Sequence, residues 1–297
     1  MSQDLYPAER ARGWIPWGAL APFLSLAFVI ATAILGDELI ARFVNMDAKG
    51  NPVDATALVA FTLVPFGFLL LVLLAWVRFV ERRPVESIGL RGGNKIREFL
   101  RGHALGLAGI AGVVLVIWIA GGLRLIAVAP VFSQPGFLVP ILLLLFTFAL
   151  QASAEEILFR GWLLSVLAEK FNVPVAVVVS SAVFSLLHFG RGQHWLVTLG
   201  TFLFALFACA WALRARSVLG VMGWHAGWNW LLAVGFGLPI TGLDVGIPGL
   251  LADMRPVGAF WLTGGAQGPE GSVVCLGYFV LGIAALRLQP GKASIAS

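Results

Sequence analysis

Long apolar runs separated by short polar stretches dominate the hydropathy pattern of the chain. A helix that crosses the hydrocarbon core of a bilayer needs about 20 mostly apolar residues. Eight runs approach or exceed that length, near 14–35, 57–79, 103–123, 137–168, 173–189, 195–213, 217–236 and 272–288. The run 137–168 is too long for one simple crossing, so we expect an irregular helix there. The pattern therefore predicts an all-α polytopic membrane protein with about eight transmembrane helices.

The polar stretches between these runs are too short to form a separate soluble domain. The longest are 80–102 and 240–271, and we interpret both as loops. No internal repeat or low-complexity tract is visible in the sequence. The first apolar run is longer than the core of about 7–15 residues in a signal peptide, so we interpret it as an uncleaved anchor. We therefore treat 1–297 as a single integral membrane domain.

The composition excludes several classes of protein. Hydrophobic residues make up 59% of the chain and charged residues only 12%, whereas a soluble domain contains about 25% charged residues. A soluble enzyme, a disordered protein and a nucleic-acid-binding protein are therefore all excluded. The net charge of +5 is better explained by loop orientation at a lipid bilayer than by a nucleic-acid partner.

The distribution of the basic residues predicts an orientation in the membrane. Eight crossings place both termini on one side, and 15 of the 20 Lys and Arg residues fall on that side. The five on the other side are Arg42, Lys49, Arg124, Arg191 and Arg255. Because loops rich in Lys and Arg stay in the cytoplasm, we expect both termini to be cytoplasmic.

Three groups of polar residues interrupt the apolar runs. An acidic residue at the centre of a transmembrane helix costs about 2.5 to 3.5 kcal/mol on insertion scales, so each such residue is a candidate for function. The groups are Glu155 and Glu156 with Arg160, Phe184 with His188, and His225 with Asn229.

In the first group, helical spacing separates the two carboxylates. Glu156 and Arg160 are four residues apart, so they share a helix face and can form an ion pair. Glu155 is rotated by about 100° from Glu156 and has no cation one turn away. A buried Glu–Arg clamp between helices therefore explains two of these residues and leaves Glu155 unexplained.

Each of the other two groups has a simple structural interpretation when taken alone. His225 and Asn229 share a helix face and can both donate hydrogen bonds, as an interhelical pair would. His188, at the end of its apolar run, would be an interfacial histidine. Phe184 lies one turn before His188 and is expected to pack beside it.

The three groups together favour a chemical function. If the chain turns at 170–172, Glu155 lies 15 residues before the turn and His188 lies 18 residues after Lys170. An antiparallel helical hairpin would bring both to a similar depth, at about 1.5 Å per residue. A carboxylate and an imidazole can there deprotonate a water, while His225 and Asn229 donate to an oxyanion. This arrangement is typical of amide hydrolysis.

The same motifs, in this order, resemble those of the CPBP (ABI) family, which includes the CAAX-processing type II prenyl endopeptidases and bacterial relatives. The resemblance covers about 154–230, which we expect to be the catalytic core. It implies an intramembrane glutamic protease with about eight helices. It is carried by Glu155-Glu156-x-x-x-Arg160 with the following Gly161, Phe184-x-x-x-His188, His225-x-x-x-Asn229 and Glu86-Ser87-Ile88-Gly89-Leu90.

The resemblance also implies a role for each residue. Glu155 would activate the water with help from His188, and His225 and Asn229 would stabilise the oxyanion. Glu156 and Arg160 would support the site. The resulting candidate catalytic residues are Glu155, Glu156, His188, His225 and Asn229, with Arg160 and Phe184 supporting.

The resemblance implies a substrate and a location as well. Eukaryotic members remove the C-terminal tripeptide of prenylated CAAX proteins, and some bacterial relatives are linked to bacteriocin immunity. We therefore expect a membrane-associated peptide or protein substrate, no cofactor and no metal. We expect the protein to reside in a bacterial cytoplasmic membrane.

Two other functions stay open at this point. A zinc protease could use His188, His225 and a glutamate as ligands, although the usual His-Glu-x-x-His helix is absent. A non-catalytic scaffold, an immunity factor or a proton-coupled carrier could use the same polar groups without chemistry.

The depths of the two histidines present a geometric difficulty. His225 lies nine residues after Arg216, so about 14 Å into its helix, whereas His188 lies near the far end of its own run. A tilt, a kink or a re-entrant stretch around 190–192 is needed to bring the two together.

Overall fold

A computed structural model of the chain describes residues 11–48, 50–190, 193–244 and 246–288. It is mostly helical, which confirms the predicted all-α membrane fold. The helices are α1 (Ala21–Ile40), α2 (Ala55–Ala75), α3 (Lys95–Ile119), α4 (Leu138–Glu156), α5 (Leu164–Lys170), α6 (Val173–Leu187), α7 (Trp195–Ala215), α8 (Leu219–Trp230), α9 (Phe260–Thr263) and α10 (Val273–Leu288). Two strands, β1 (Leu123–Val128) and β2 (Ala252–Pro256), complete the elements considered below.

Each predicted apolar run contains a helix of this structure. Within the described residues, five helical segments are long and apolar enough to cross a membrane. Two shorter apolar helices, α6 and α10, accompany them. The protein is therefore an integral membrane protein, and eight crossings are compatible with its structure.

Two helix boundaries differ from the predicted ones. The first helix begins at Ala21 rather than at 14, with a proline in its first turn, where proline is well tolerated. The third begins at Lys95 rather than at 103, because the Asn94 side chain accepts a hydrogen bond from Arg97 N at 2.9 Å and caps it. The prediction that 80–102 is entirely loop was therefore wrong. The first turns of α3 are polar, so a search for apolar runs does not detect them.

The long run around 137–168 has the expected irregularity. It belongs to one apolar helical segment of 36 residues, Pro135–Lys170. Inside that segment, α4 ends at Glu156 and a π-helical stretch, Ile157–Leu163, leads into α5. Wide π-turns inside α-helices occur frequently at functional sites.

The turn between α5 and α6 lies where the sequence predicts it. The first of these helices ends at Lys170 and the second begins at Val173. Asn172 caps the second helix, its side chain accepting a hydrogen bond from Val175 N at 2.9 Å. The predicted hairpin between α5 and α6 is therefore present.

Helix α8 lies at the centre of the molecule, and 219–229 are all buried. It packs against α3 with backbones in close approach. A Cβ on Gly106 would lie 2.0 Å from Trp224 O, and one on Gly223 would lie 1.9 Å from Phe99 O. Small residues permit such close packing of transmembrane helices, and here they determine where the helix that carries His225 lies.

The antiparallel pairing of β1 with β2 was not predicted. Leu123 pairs with Pro256 and Arg124 with Arg255, and a register shift occurs between Leu125 and Ala127. The stretch 240–271 is consequently not only a loop. Strands of six and five residues that are far apart in sequence are too short to be recognised from periodicity.

The orientation of the termini stays a prediction. Four of the basic residues on which it depends lie outside the described residues, as does 191–192 of the predicted re-entrant stretch. These four are Arg10, Lys49, Arg191 and Lys292.

Candidate active site

A cavity of ≈ 850 Å³ lies among α2, α4, α6, α7 and α8. Residues from all three predicted polar groups line it. They are Glu155 of α4, Phe184 and His188 from α6 and its C-terminal cap, and His225 and Asn229 of α8. Residues that are far apart in sequence thus line one cavity.

The short length of α6 resolves the difficulty with depth. A helix of 15 residues is about 22 Å long, which is less than the hydrocarbon core of about 30 Å. His188, as the C-cap residue of this helix, therefore need not lie at the opposite membrane surface. It lines the same cavity as His225.

Glu155 lines the cavity, and its two carboxylate oxygens have different neighbours. Its Oε1 accepts a hydrogen bond from Gln151 Nε2 at 2.8 Å. Its Oε2 lies 3.9 Å from His225 Nε2, beyond hydrogen-bonding distance. The residue is 7% exposed, and this oxygen has no hydrogen-bond partner among the described residues. A buried acceptor without a donor is costly unless a ligand or water occupies the space before it.

Glu156 is completely buried and lies behind the cavity wall. Its Oε1 accepts hydrogen bonds from Arg160 Nη1 at 3.1 Å and from His225 Nδ1 at 2.8 Å. The pairing with Arg160 was predicted from helical spacing, whereas the bond to His225 was not. The carboxylate therefore joins α4 to α8 and holds the imidazole in place.

Aromatic rings surround the buried guanidinium of Arg160. Its Cζ lies 4.3 Å from the ring centroid of Phe184 and 5.7 Å from that of Phe204, distances typical of cation–π contacts. The Phe184 ring also lies 4.4 Å from that of His188. Phe184 thus packs beside His188 as predicted, and it also contacts Arg160.

The hydrogen bonds of both histidines assign their protons. A carbonyl oxygen can only accept, so His188 Nδ1 donates to Phe184 O at 2.9 Å. In the neutral ring, His188 Nε2 is then left with a lone pair. His225 Nδ1 likewise donates to the Glu156 carboxylate, which leaves its Nε2 facing Glu155.

Sequence reasoning missed Gln151, which links two of the candidate residues. In addition to its bond to Glu155, Gln151 accepts a hydrogen bond from Asn229 Nδ2 at 3.2 Å. It is 8% exposed and lines the cavity. The available signal was a polar residue one helical turn before Glu155, on the same face of an apolar run.

A second carboxylate in the cavity wall was also missed. Glu270 accepts hydrogen bonds from Trp228 Nε1 at 3.0 Å and from both N and Oγ1 of Thr241 at 2.9 Å. It follows β2 in a stretch interpreted as loop, with no local pattern to single it out.

The described residues contain no group of three or more His, Cys, Asp or Glu side chains that could hold a metal ion. The zinc alternative needs three protein ligands. The part of the chain that the structure describes therefore gives that alternative no ligand set.

Comparison with known families supplies independent information. Residues 137–231 match the Rce1-like family, described as type II CAAX prenyl endopeptidase Rce1-like. The match supports the predicted family resemblance over this region of the chain. The match includes every candidate residue of the site, so this Rce1-like region indicates a CAAX-type membrane protease. No curated protein and no solved structure matches the chain significantly.

Proposed function

We propose that the protein is an intramembrane glutamic endopeptidase that hydrolyses a peptide bond in a membrane-associated substrate. The observation that carries this proposal is that Glu155 lines the cavity and that its buried Oε2 has no hydrogen-bond partner among the described residues. The neighbouring Glu156 is already bonded to Arg160 and His225. Glu156 also has an unpartnered Oε2 but does not line the cavity, so Glu155 is the carboxylate placed to act on a water there.

The first step is activation of that water. Glu155 Oε2 accepts its proton as general base, and the lone pair on His188 Nε2 helps to orient it. The resulting hydroxide attacks the carbonyl carbon of the peptide, so a C–O bond forms and the carbonyl oxygen becomes an oxyanion.

His225 and Asn229 stabilise that oxyanion. His225 is held by Glu156 and lies beside Glu155, and when the ring also carries a proton on Nε2, that N–H donates to the oxyanion. The second N–H of Asn229 Nδ2 donates beside it. When the C–N bond breaks, Glu155 returns its proton to the leaving amine. Each oxyanion donor contributes about 10² to 10³ in kcat in comparable sites.

The cavity wall supports an apolar substrate. Aromatic side chains from several helices line it beside the polar groups, among them Phe61, Phe66 and Phe148. Such a wall would accept an apolar chain next to the scissile bond, which suits a prenylated CAAX-type C-terminus.

The deciding experiment compares the wild type with Glu155→Gln after reconstitution in liposomes. The substrates are C-terminal peptides of membrane proteins, with and without a prenyl group, and cleavage is measured by mass spectrometry. Because the amide cannot act as a general base, we expect kcat to fall by about 10²- to 10⁴-fold. Glu169→Gln is a matched control, since Glu169 is exposed. Full cleavage by Glu155→Gln would contradict the mechanism and favour a non-catalytic scaffold.

We also propose that both termini face the cytoplasm. The surplus of Lys and Arg on that side supports this orientation. Reporter domains fused to the C-terminus, active only in the cytoplasm or only outside it, measure the orientation directly. Activity of the outside reporter alone would contradict it.

A further inference from the structure

We propose that Gln151 is a positioning residue that holds Glu155 and Asn229 in their reactive orientations, an inference that rests on the proposed function. Its Nε2 donates to Glu155 Oε1 at 2.8 Å, and its Oε1 accepts from Asn229 Nδ2 at 3.2 Å. All three side chains are less than 10% exposed. One carboxamide thus connects the proposed base to a proposed oxyanion donor.

Only one orientation of the carboxamide satisfies both neighbours. An ionised carboxylate accepts hydrogen bonds and donates none, so Glu155 attracts the Nε2 end of Gln151. In the reversed orientation, Gln151 Oε1 would oppose the carboxylate and its Nε2 would oppose Asn229 Nδ2. The charge on Glu155 therefore fixes the carboxamide, which in turn fixes the amide of Asn229 with its nitrogen toward Gln151. One N–H of that nitrogen is then left to donate to the oxyanion.

The same contact determines which oxygen of Glu155 takes the proton. Because Oε1 is occupied by Gln151, the proton from water goes to Oε2, the oxygen that faces His225. Helix geometry maintains this arrangement. Gln151 and Glu155 are one turn apart in the regular part of α4, and the π-helical stretch begins only at Ile157.

Methionine at position 151 separates hydrogen bonding from packing. It has nearly the volume of glutamine but cannot bond to either neighbour. We expect Gln151→Met to lower kcat by about 10- to 100-fold, the equivalent of one hydrogen bond to a charged group, with KM unchanged. Gln134→Met is the matched control, because Gln134 is exposed and precedes α4. Wild-type kcat in Gln151→Met would overturn the proposal.

A second variant tests the donor alone. Gln151→Glu retains the shape and an acceptor for Asn229, and at a pH where both carboxyl groups are ionised it offers no donor to Glu155. If the donor positions Glu155, this variant at that pH has a kcat at least as low as that of Gln151→Met. A role limited to supporting Asn229 predicts instead that glutamate restores activity, and that result would overturn the proposal.

An infrared measurement tests the contact without turnover. The carboxylate stretch of Glu155 is assigned as the band that Glu155→Gln removes. We expect Gln151→Met to shift this band, because a hydrogen bond to Oε1 is lost, and Gln134→Met to leave it in place. An unshifted band contradicts positioning by Gln151. If wild type and Glu155→Gln both lack cleavage, the proposed function fails, while the band still decides whether Gln151 orients Glu155.

Discussion

Two buried acid–arginine pairs in this molecule differ in whether both oxygens of the carboxylate are hydrogen-bonded. In the first, Glu81 Oε2 accepts from Arg83 Nε at 2.6 Å, and its Oε1 accepts from Trp162 Nε1 at 2.7 Å and Trp76 Nε1 at 3.2 Å. Glu81 is 0% exposed and does not line the large cavity. Both of its oxygens are bonded, and the pair ties the end of α2 to the π-helical stretch that contains Trp162.

The second pair, Glu156 with Arg160, lies beside a further carboxylate. Glu156 uses Oε1 for two hydrogen bonds, while its Oε2 and that of Glu155 have no hydrogen-bond partner among the described residues. Buried polar atoms in native proteins are nearly always satisfied, so each exception needs an explanation. Burial of a charge therefore does not distinguish a structural site from a chemical one, whereas an unpartnered acceptor on a residue that lines a cavity does.

The largest expected effect is a contrast between two variants. Glu81→Gln should lose stability and retain kcat, whereas Glu155→Gln should retain stability and lose kcat. Removing the Glu81 charge leaves Arg83 buried without its carboxylate, which destabilises a protein by about 3 to 5 kcal/mol. Glu155→Gln removes an unsatisfied buried charge, so we expect the free energy of unfolding to be unchanged or higher. Thermal unfolding of the purified variants measures stability, and kcat of the folded fraction measures chemistry.

This contrast requires Glu81→Gln to retain kcat in the molecules that stay folded, and Glu155→Gln to lose kcat. If Glu81→Gln loses kcat while its stability is normal, the Glu81 site is also chemical. Unpartnered carboxylate oxygens would then fail to distinguish a chemical site from a structural one.

The sequence alone predicted the features that depend on local periodicity and on the free energy of transferring side chains from water to lipid. The apolar runs indicated the membrane helices, because lipid tolerates few other spanning structures. The spacing of Glu156 and Arg160 predicted their ion pair, because neighbouring turns of one helix bring such residues together. The hairpin between α5 and α6 followed from the polar turn at 170–172.

Features that depend on contacts between helices could not be read from the sequence. Nothing local indicates that His225 Nδ1 reaches Glu156, or that Gln151, one turn before Glu155, also contacts Asn229. Both of these bonds join α4 to α8, and the position of α8 depends on its close packing against α3. The β1–β2 pairing was missed for the same reason, since the two strands are separated in sequence by α4 to α8.

A smaller effect is expected from the glycine contact that positions α8. A Cβ on Gly106 would lie 2.0 Å from Trp224 O, whereas one on Gly112 of the same helix would meet nothing within 4 Å. Gly106→Ala should therefore cost about 1 to 3 kcal/mol through overpacking. It should also lower kcat, because the displaced helix carries His225 and Asn229.

Gly112→Ala is the matched control and should retain both stability and kcat. Unfolding temperature and steady-state kinetics of the two variants make the comparison. Equal kinetics in both variants would show that the site tolerates movement of α8, which would contradict the role given to the α3–α8 glycine contacts in positioning His225.

The smallest expected effect is that of a chelator on cleavage, which we expect to be none. Catalytic zinc sites use three protein ligands. The described residues contain no such group, and His225 already donates to Glu156 through Nδ1. Glu155 Oε2 and His225 Nε2 lie 3.9 Å apart, and no third His, Cys, Asp or Glu side chain among the described residues completes a ligand set with them. Activity is measured before and after treatment with a strong chelator, together with the metal content of the purified protein. Loss of cleavage that added zinc restores would mean that the unsatisfied oxygen of Glu155 is a metal ligand, and the contrast with the fully bonded Glu81 would then reflect coordination rather than general-base catalysis.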